Sequence, residues 1–304
     1  MPERVLGGFL GHAIGDVLGF PYEGTPRRVL KVRPITDVPD RVMPSDDTAL
    51  VLCTARNLCE RGIDPEDFAR RLVGWLEKGE CTPNGKAVGV GRTTYEAVKR
   101  IASGIPPLMA GGRGERDNGN GSLMRMLPLI FYLYGRPETE VKEVVRAYSS
   151  ITHAHMRSII ACHTYVLFGM YLYGGSTPGE AYFRTVREIR RLYEGEEELR
   201  HFSRILDGSL PDLREKDVRS GGYVVHTLEA ALWVLMQGGS FRDTVLRAVN
   251  LGGDTDTVGA IVGGLAGIYH TVRGIPKEWI SRLPMREELE EVAVCLAERS
   301  ATGR

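Results

Sequence analysis

Two runs in this 304-residue chain, Ser45-Asp46-Asp47-Thr48 and Gly252-Gly253-Asp254-Thr255-Asp256-Thr257, crowd carboxylates and hydroxyls together at the start of apolar, helix-like stretches. An aspartate at a helix start is favoured by capping and by the macrodipole, so one such run is ordinary. Two of them place four carboxylates where the fold could gather them, and a gathered set would repel without a cation. Ser45, Asp46, Asp47, Asp254, Asp256 and Thr257 offer oxygen donors only, a set that suits Mg²⁺ or Mn²⁺ better than zinc or copper. Gly252-Gly253 adds a stretch without side chains, suited to close approach by a ligand or ion.

Two further segments could bind a substrate. Gly119-Asn120-Gly121-Ser122, inside the run Arg116 to Arg125, is a glycine–asparagine loop running into an expected helix. Its N–H groups and the Ser122 hydroxyl suit an anion. Thr152-His153-Ala154-His155 contains an H-x-H pair. With oxygen-rich runs elsewhere, the expectation is one histidine on a ligand and the other structural. His12, His163, His201, His226 and His270 are read as structural.

The elements that must position these residues are helical. Apolar periodicity near 3.6 predicts helices over 3–18, 46–61, 65–78, 91–103, 121–134, 138–150, 155–173, 178–194, 224–237, 241–250, 255–270 and 286–299. Pro65, Pro137 and Pro178 stand at or near helix starts, while Gly62, Gly104, Gly135, Gly174 and Gly238 follow helix ends. No alternating strand series is visible. The expected fold class is therefore all-α, with residues 1–304 as a single domain. The charged stretch 194–219 reads as a mobile excursion. Glycines at 7, 11, 15 and 19, and again at 259, 263 and 267, recur every four residues. Glycine costs about 1 kcal/mol per helical position against alanine, so the stripes imply two central helices whose backbones approach closely.

Composition narrows the class. Lysine plus arginine equals aspartate plus glutamate at 39 each, so no basic excess marks a nucleic-acid binder. The 32 arginines against 7 lysines, with Gln237 the only glutamine, resemble a heat-adapted composition. Cys53, Cys59, Cys81, Cys162 and Cys295 are odd in number and lack C-x-x-C spacing, which suggests buried thiols in a reducing cytoplasm and no disulfide framework. The longest apolar run, Val258 to Tyr269, is too short for a bilayer, and no signal peptide is evident; a soluble cytoplasmic protein is expected.

Taken in order, GHAIGDVLGFPYE (Gly11 to Glu23), SDDT (Ser45 to Thr48), GNGSLMR (Gly119 to Arg125), Thr152-His153 and GGDTDT (Gly252 to Thr257) resemble the motifs of ADP-ribosylglycohydrolases. That family includes dinitrogenase reductase-activating glycohydrolases and ADP-ribosylarginine and ADP-ribosylserine hydrolases. The resemblance implies one orthogonal helical bundle with two Mg²⁺ or Mn²⁺ ions in a cleft. It implies Ser45, Asp46, Asp47, Asp254, Asp256 and Thr257 as metal ligands and Glu23 as a mobile glutamate beside the metal or the reacting ribose. Gly119, Asn120, Gly121 and Ser122 would embrace phosphates and ribose, and His153 would line the adenosine side. Threonine is commoner in the family at the position of Ser45, and a longer polar residue at that of Ala49.

The implied reaction is hydrolysis of the bond between ADP-ribose and an acceptor, through an oxocarbenium-like state. Glu23 could orient or deprotonate a water, or assist the leaving group. The acceptor stays open: arginine, serine, an acetyl ester, or nucleic acid carrying ADP-ribose. A catalytically silent structural relative and a dinuclear phosphohydrolase acting on nucleotides are the alternatives.

Overall fold

Two antiparallel helices, Pro2–Gly19 and Thr255–His270, form the centre, and their contact explains both glycine stripes. In the computed structural model, which describes residues 1–302, the stripes face each other in register. A Cβ on Gly7 would lie 2.3 Å from the Gly267 carbonyl oxygen, one on Gly11 2.2 Å from that of Gly263, and one on Gly15 1.9 Å from that of Gly259. Any side chain would force the helices apart. The last step of this ladder pairs Gly19 with Thr255, whose hydroxyl donates to the Gly19 carbonyl at 2.7 Å. The end of the first helix is thereby pinned to the start of the second, at the acidic run.

The remaining long helices pack around this pair and enclose a contiguous apolar cluster. They include Asp46–Glu60, Pro65–Lys78, Glu138–Ser150, Met156–Tyr173, Pro178–Leu192, Val224–Met236 and Arg286–Thr302. Among the described residues no strand is present, and backbone bridges occur only as isolated pairs, Gly112 with His153 and Gly119 with Tyr223. The all-α expectation holds. The last two residues of the expected 1–304 domain lie outside the described part. No helix among the described residues is long and apolar enough to cross a membrane.

Three expectations need correction. The helix expected over 121–134 is broken into a short 3₁₀ turn, Leu123–Arg125, and a helix, Leu127–Tyr132, because Pro128 fits only a first turn. The stretch 194–219 is not a loose excursion. It folds into short turns tied down by Arg27, which donates to Val218 and Leu251 carbonyls, each at 2.7 Å, and by the Trp233 indole on the Leu213 carbonyl at 2.9 Å. The cysteines are not all thiols. Cys59 and Cys295 form a disulfide across 236 residues, whereas Cys53, Cys81 and Cys162 are free and buried. The premise for a reducing compartment falls with that pairing.

Candidate active site

The cleft is assembled where helices begin. Ser45 caps the Asp46–Glu60 helix, its hydroxyl oxygen accepting from the Asp47 N–H at 3.2 Å. A residue outside the expected site sets this turn. The buried Asp16 carboxylate accepts from the Ser45 N–H at 3.0 Å, the Thr48 N–H at 3.1 Å and the Thr48 hydroxyl at 2.5 Å. The first helix thus carries the anchor for the first acidic run and, at Gly19, for the second. An ionisable residue inside an otherwise apolar glycine-striped helix was the available signal for Asp16.

Glu23 follows the turn Phe20–Tyr22 that extends the first helix. Two backbone bonds zip its loop to the second run: the Gly24 N–H donates to the Gly253 carbonyl at 2.8 Å, and the Gly253 N–H to Thr25 at 2.9 Å. Gly253 is required by geometry. Its φ is +79°, and a Cβ there would stand 2.6 Å from the Ser220 carbonyl oxygen. Glu23, Asp46, Asp254, Asp256 and Thr257 consequently line one cleft of about 290 Å³, with Gly119, Asn120, Gly121 and His153 on the opposite wall.

Asp47 and Ser45 lie beneath that surface. The Asp47 Oδ2 accepts from the Ser45 hydroxyl at 3.1 Å and the Thr257 hydroxyl at 3.2 Å, so one carboxylate joins the two runs. Its Oδ1 is buried without a partner. On the cleft side, Asp254 accepts from the Asn120 side-chain amide at 2.8 Å, and Asp256 Oδ1 from the Thr257 N–H at 3.0 Å. Burial raises the carboxyl pKa of Asp46, Asp47 and Asp256, in that last case to about 9, with Asp16 and Asp254 adding repulsion. Burial, followed by Asp254, also raises Glu23.

Among the described residues no three His, Cys, Asp or Glu side chains are already drawn into a ready chelate. The donor chemistry nevertheless fits a hard divalent cation. The oxygens are carboxylate and hydroxyl, they share one charge sign, and the orphaned Asp47 Oδ1 is a lone-pair site awaiting a partner.

The opposite wall separates the expected substrate residues. Asn120 bridges Asp254 and the Thr227 hydroxyl, 3.0 Å away, and its own N–H donates to the Gly222 carbonyl at 3.1 Å. Ser122 does not join them. Its hydroxyl is fully buried, facing Ser149 and Cys162 at 3.0 and 3.3 Å, because the 3₁₀ turn rotates it into the core. His153 lies on the cleft, whereas His155 caps the Met156–Tyr173 helix, its Nδ1 accepting from the Arg157 N–H at 3.2 Å. The cap assigns His155 a structural part and leaves His153 as the histidine of the pair that lines the cleft. His12, read as structural, has Nε2 3.3 Å from the Asp47 carbonyl, and burial pushes its pKa down to about 4.

The sequence reading missed the third wall, Gly89 to Thr94. A Cβ on Gly89 would reach 2.6 Å from Asp46 Oδ1, and Arg92 donates to Asp117 at 3.0 Å, joining this wall to the glycine loop. Periodicity marked the helix that starts there, Arg92–Ala102, but no motif placed its first turn at the cleft.

An all-helical scaffold with an acidic, oxygen-lined cleft facing a glycine loop defines a class of hydrolases, and comparison with known proteins agrees. The sequence profile of the ADP-ribosylglycohydrolase family matches residues 1–304, and the chain belongs to that family of glycosidic-bond hydrolases. It is 31% identical to ADP-ribosylarginine hydrolase Tri1 of Pseudomonas putida (strain GB-1), covering 98% of this chain and 79% of that protein. It is 29% identical to ADP-ribosyl-[dinitrogen reductase] glycohydrolase of Rhodospirillum rubrum, covering 95% and 92%. A solved structure titled as an ADP-ribosylglycohydrolase-related protein complex superposes with a TM-score of 0.81 at 33% identity over 98% of both chains.

Proposed function

We propose that this chain hydrolyses the glycosidic bond between ADP-ribose and an acceptor, a protein side chain or a related conjugate, at a dinuclear Mg²⁺ or Mn²⁺ site. The observation that carries the proposal is the convergence of Glu23, Asp46, Asp254, Asp256 and Thr257 from three distant segments on one cleft with Gly119, Gly121 and His153. Ser45, Asp46, Asp47, Asp254, Asp256 and Thr257 would hold the ions, which would neutralise the carboxylates and supply Lewis-acid polarisation at the ribose.

The chain's own groups supply the rest. Glu23 stands at the rim, and burial followed by the Asp254 charge raises its pKa, which suits it to take a proton from water or give one to the leaving group. Asn120 is held by Thr227 and Asp254, and Gly119 and Gly121 line the cleft without side chains to block phosphate or ribose oxygens. An arginine-linked acceptor is favoured, because a guanidinium leaving group is complementary to an acidic cleft and the Tri1 relatives are named for that linkage.

The test incubates the protein with Mg²⁺ or Mn²⁺ and arginine-, serine- and ester-linked ADP-ribose, and follows free ADP-ribose by mass spectrometry. Release from the arginine conjugate, abolished by chelator, is expected. Phosphate release without glycosidic cleavage would favour the phosphohydrolase alternative, and no turnover of any conjugate would favour the silent relative.

A further inference from the structure

Arg125 is an arginine with no exposed surface, and burial lowers its pKa only to about 10, so it stays charged at neutral pH. Neutral oxygens receive it. Its guanidinium donates to the Gly121 carbonyl at 3.3 Å, the Tyr148 carbonyl at 3.0 Å and the Thr152 hydroxyl oxygen at 2.8 Å. One buried cation is thus fastened to the glycine loop through Gly121 and to the residue before His153 through Thr152. A charge so placed is costly to bury and invites a functional reading.

The next link fixes a proton. Thr152 Oγ1 stands 2.8 Å from His153 Nδ1. Arg125 can only donate, so it occupies one lone pair of that oxygen. Were Nδ1 also to donate, the Thr152 hydroxyl hydrogen would need an acceptor elsewhere, in a position with no exposed surface. With the hydroxyl donating to Nδ1 instead, the Thr152 hydroxyl and the ring nitrogen are both satisfied and the ring proton sits on Nε2. The Nε2 edge lies toward the cleft, where a methyl on Gly121 would come within 3.0 Å of Cε1 and 3.4 Å of Nε2. Burial and the Arg125 charge push the His153 pKa down to about 3, with Asp117 opposing, which leaves the ring neutral.

We propose that Arg125, acting through the Thr152 hydroxyl, is a positioning residue that locks His153 as its Nε2–H tautomer. The cleft thereby gains one fixed hydrogen-bond donor for a lone-pair oxygen or nitrogen of the bound nucleotide. The identity of that ligand rests on the ADP-ribose reading above; the tautomer does not.

Long-range ¹H–¹⁵N spectra read the tautomer directly, with His153 identified among the seven histidines by its loss in His153→Asn. The wild type is expected to show a protonated Nε2 and a bare Nδ1, unchanged from pH 5.5 to 8. Thr152→Val keeps the shape without the hydroxyl; it should shift the ring toward Nδ1–H and weaken ADP-ribose binding about fivefold to tenfold, the scale of one lost hydrogen bond. Thr152→Ser should restore both. A wild-type Nδ1–H pattern, or Thr152→Val with wild-type tautomer and affinity, overturns the proposal. Should the valine variant fail to fold, the wild-type and serine spectra still decide it. An Nε2–H wild type that binds no ADP-ribose supports the tautomer and overturns the nucleotide reading alone.

Discussion

Glu23 and Asp256 are the side chains whose chemistry the proposed reaction tests most directly. Glu23 is exposed at the rim, touches the acidic run only through its backbone loop, and carries no stabilising ion pair, so its removal should cost activity rather than stability. Glu23→Gln is expected to lower kcat by about 10²-fold or more with an unchanged melting temperature; near-wild-type turnover would return Glu23 to a solvated surface charge. Asp256 supplies a pH test that needs no substrate. Its folded pKa is raised to about 9, above the usual carboxylate value of 3.8. A raised folded pKa contributes stability that is fully present below the unfolded value and lost as pH rises through the folded one. In chelator, the melting temperature should therefore fall between pH 7 and 9. The buried His12 and His153 do not titrate there, because they are pushed down to about 4 and about 3 and are already neutral. Asp256→Asn should reduce the slope, with Asp46 and Asp47, also raised by burial, supplying the rest. A wild-type curve that is level or rising across this window would contradict the assignment.

At the scale of elements, the helix pair Pro2–Gly19 and Thr255–His270 sets the register of the cleft. The glycine ladder fixes which turn of one helix meets which turn of the other, and so brings Glu23 beside Asp254 and Asp256. Gly15→Ala would put a Cβ 1.9 Å from the Gly259 carbonyl oxygen, a backbone atom that cannot rotate away. A loss of about 1–3 kcal/mol is expected despite alanine's better helix propensity, together with weaker divalent-ion binding because the acidic starts would shift. Gly179→Ala, in the Pro178–Leu192 helix with nothing within 4 Å of the added carbon, should be neutral or stabilising by up to about 1 kcal/mol. Chemical denaturation of both variants checks the pair; equal effects would mean that the close approach does not matter.

Across the whole molecule, the Cys59–Cys295 disulfide ties the last helix, Arg286–Thr302, to the helix that begins with Asp46. It closes a loop of 236 residues, and cross-links of this kind typically add about 2–4 kcal/mol. Cys59→Ser should lower the melting temperature by about 5–10 °C, with turnover at moderate temperature unchanged. Thiol titration of the unfolded, unreduced chain should count three cysteines; five would remove the bridge. The bridge and the arginine-rich, glutamine-poor composition both fit a heat-adapted protein.

The sequence by itself determined what local physics controls. Helices were legible because 3.6-residue periodicity, prolines at helix starts and glycines past helix ends act within a few residues, and the starts of Asp46–Glu60 and Thr255–His270 followed from the Ser45 cap and the acidic first turns. The glycine stripes were legible as a contact because glycine inside a helix needs a steric reason. Tertiary structure alone decided what depends on partners far apart in the chain. Asp16 became the anchor of the Ser45 turn across 29 residues, and Arg27 secured the 194–219 stretch from 191 residues away at Val218. Cys59 found Cys295, and the wall from Gly89 to Thr94 reached the cleft without a motif of its own. Ser122 lies in the core at the start of the short 3₁₀ turn that stands where a continuous helix was expected, and no residue type announces that. Periodicity reports which face of an element is buried; it carries no record of which distant element that face will meet.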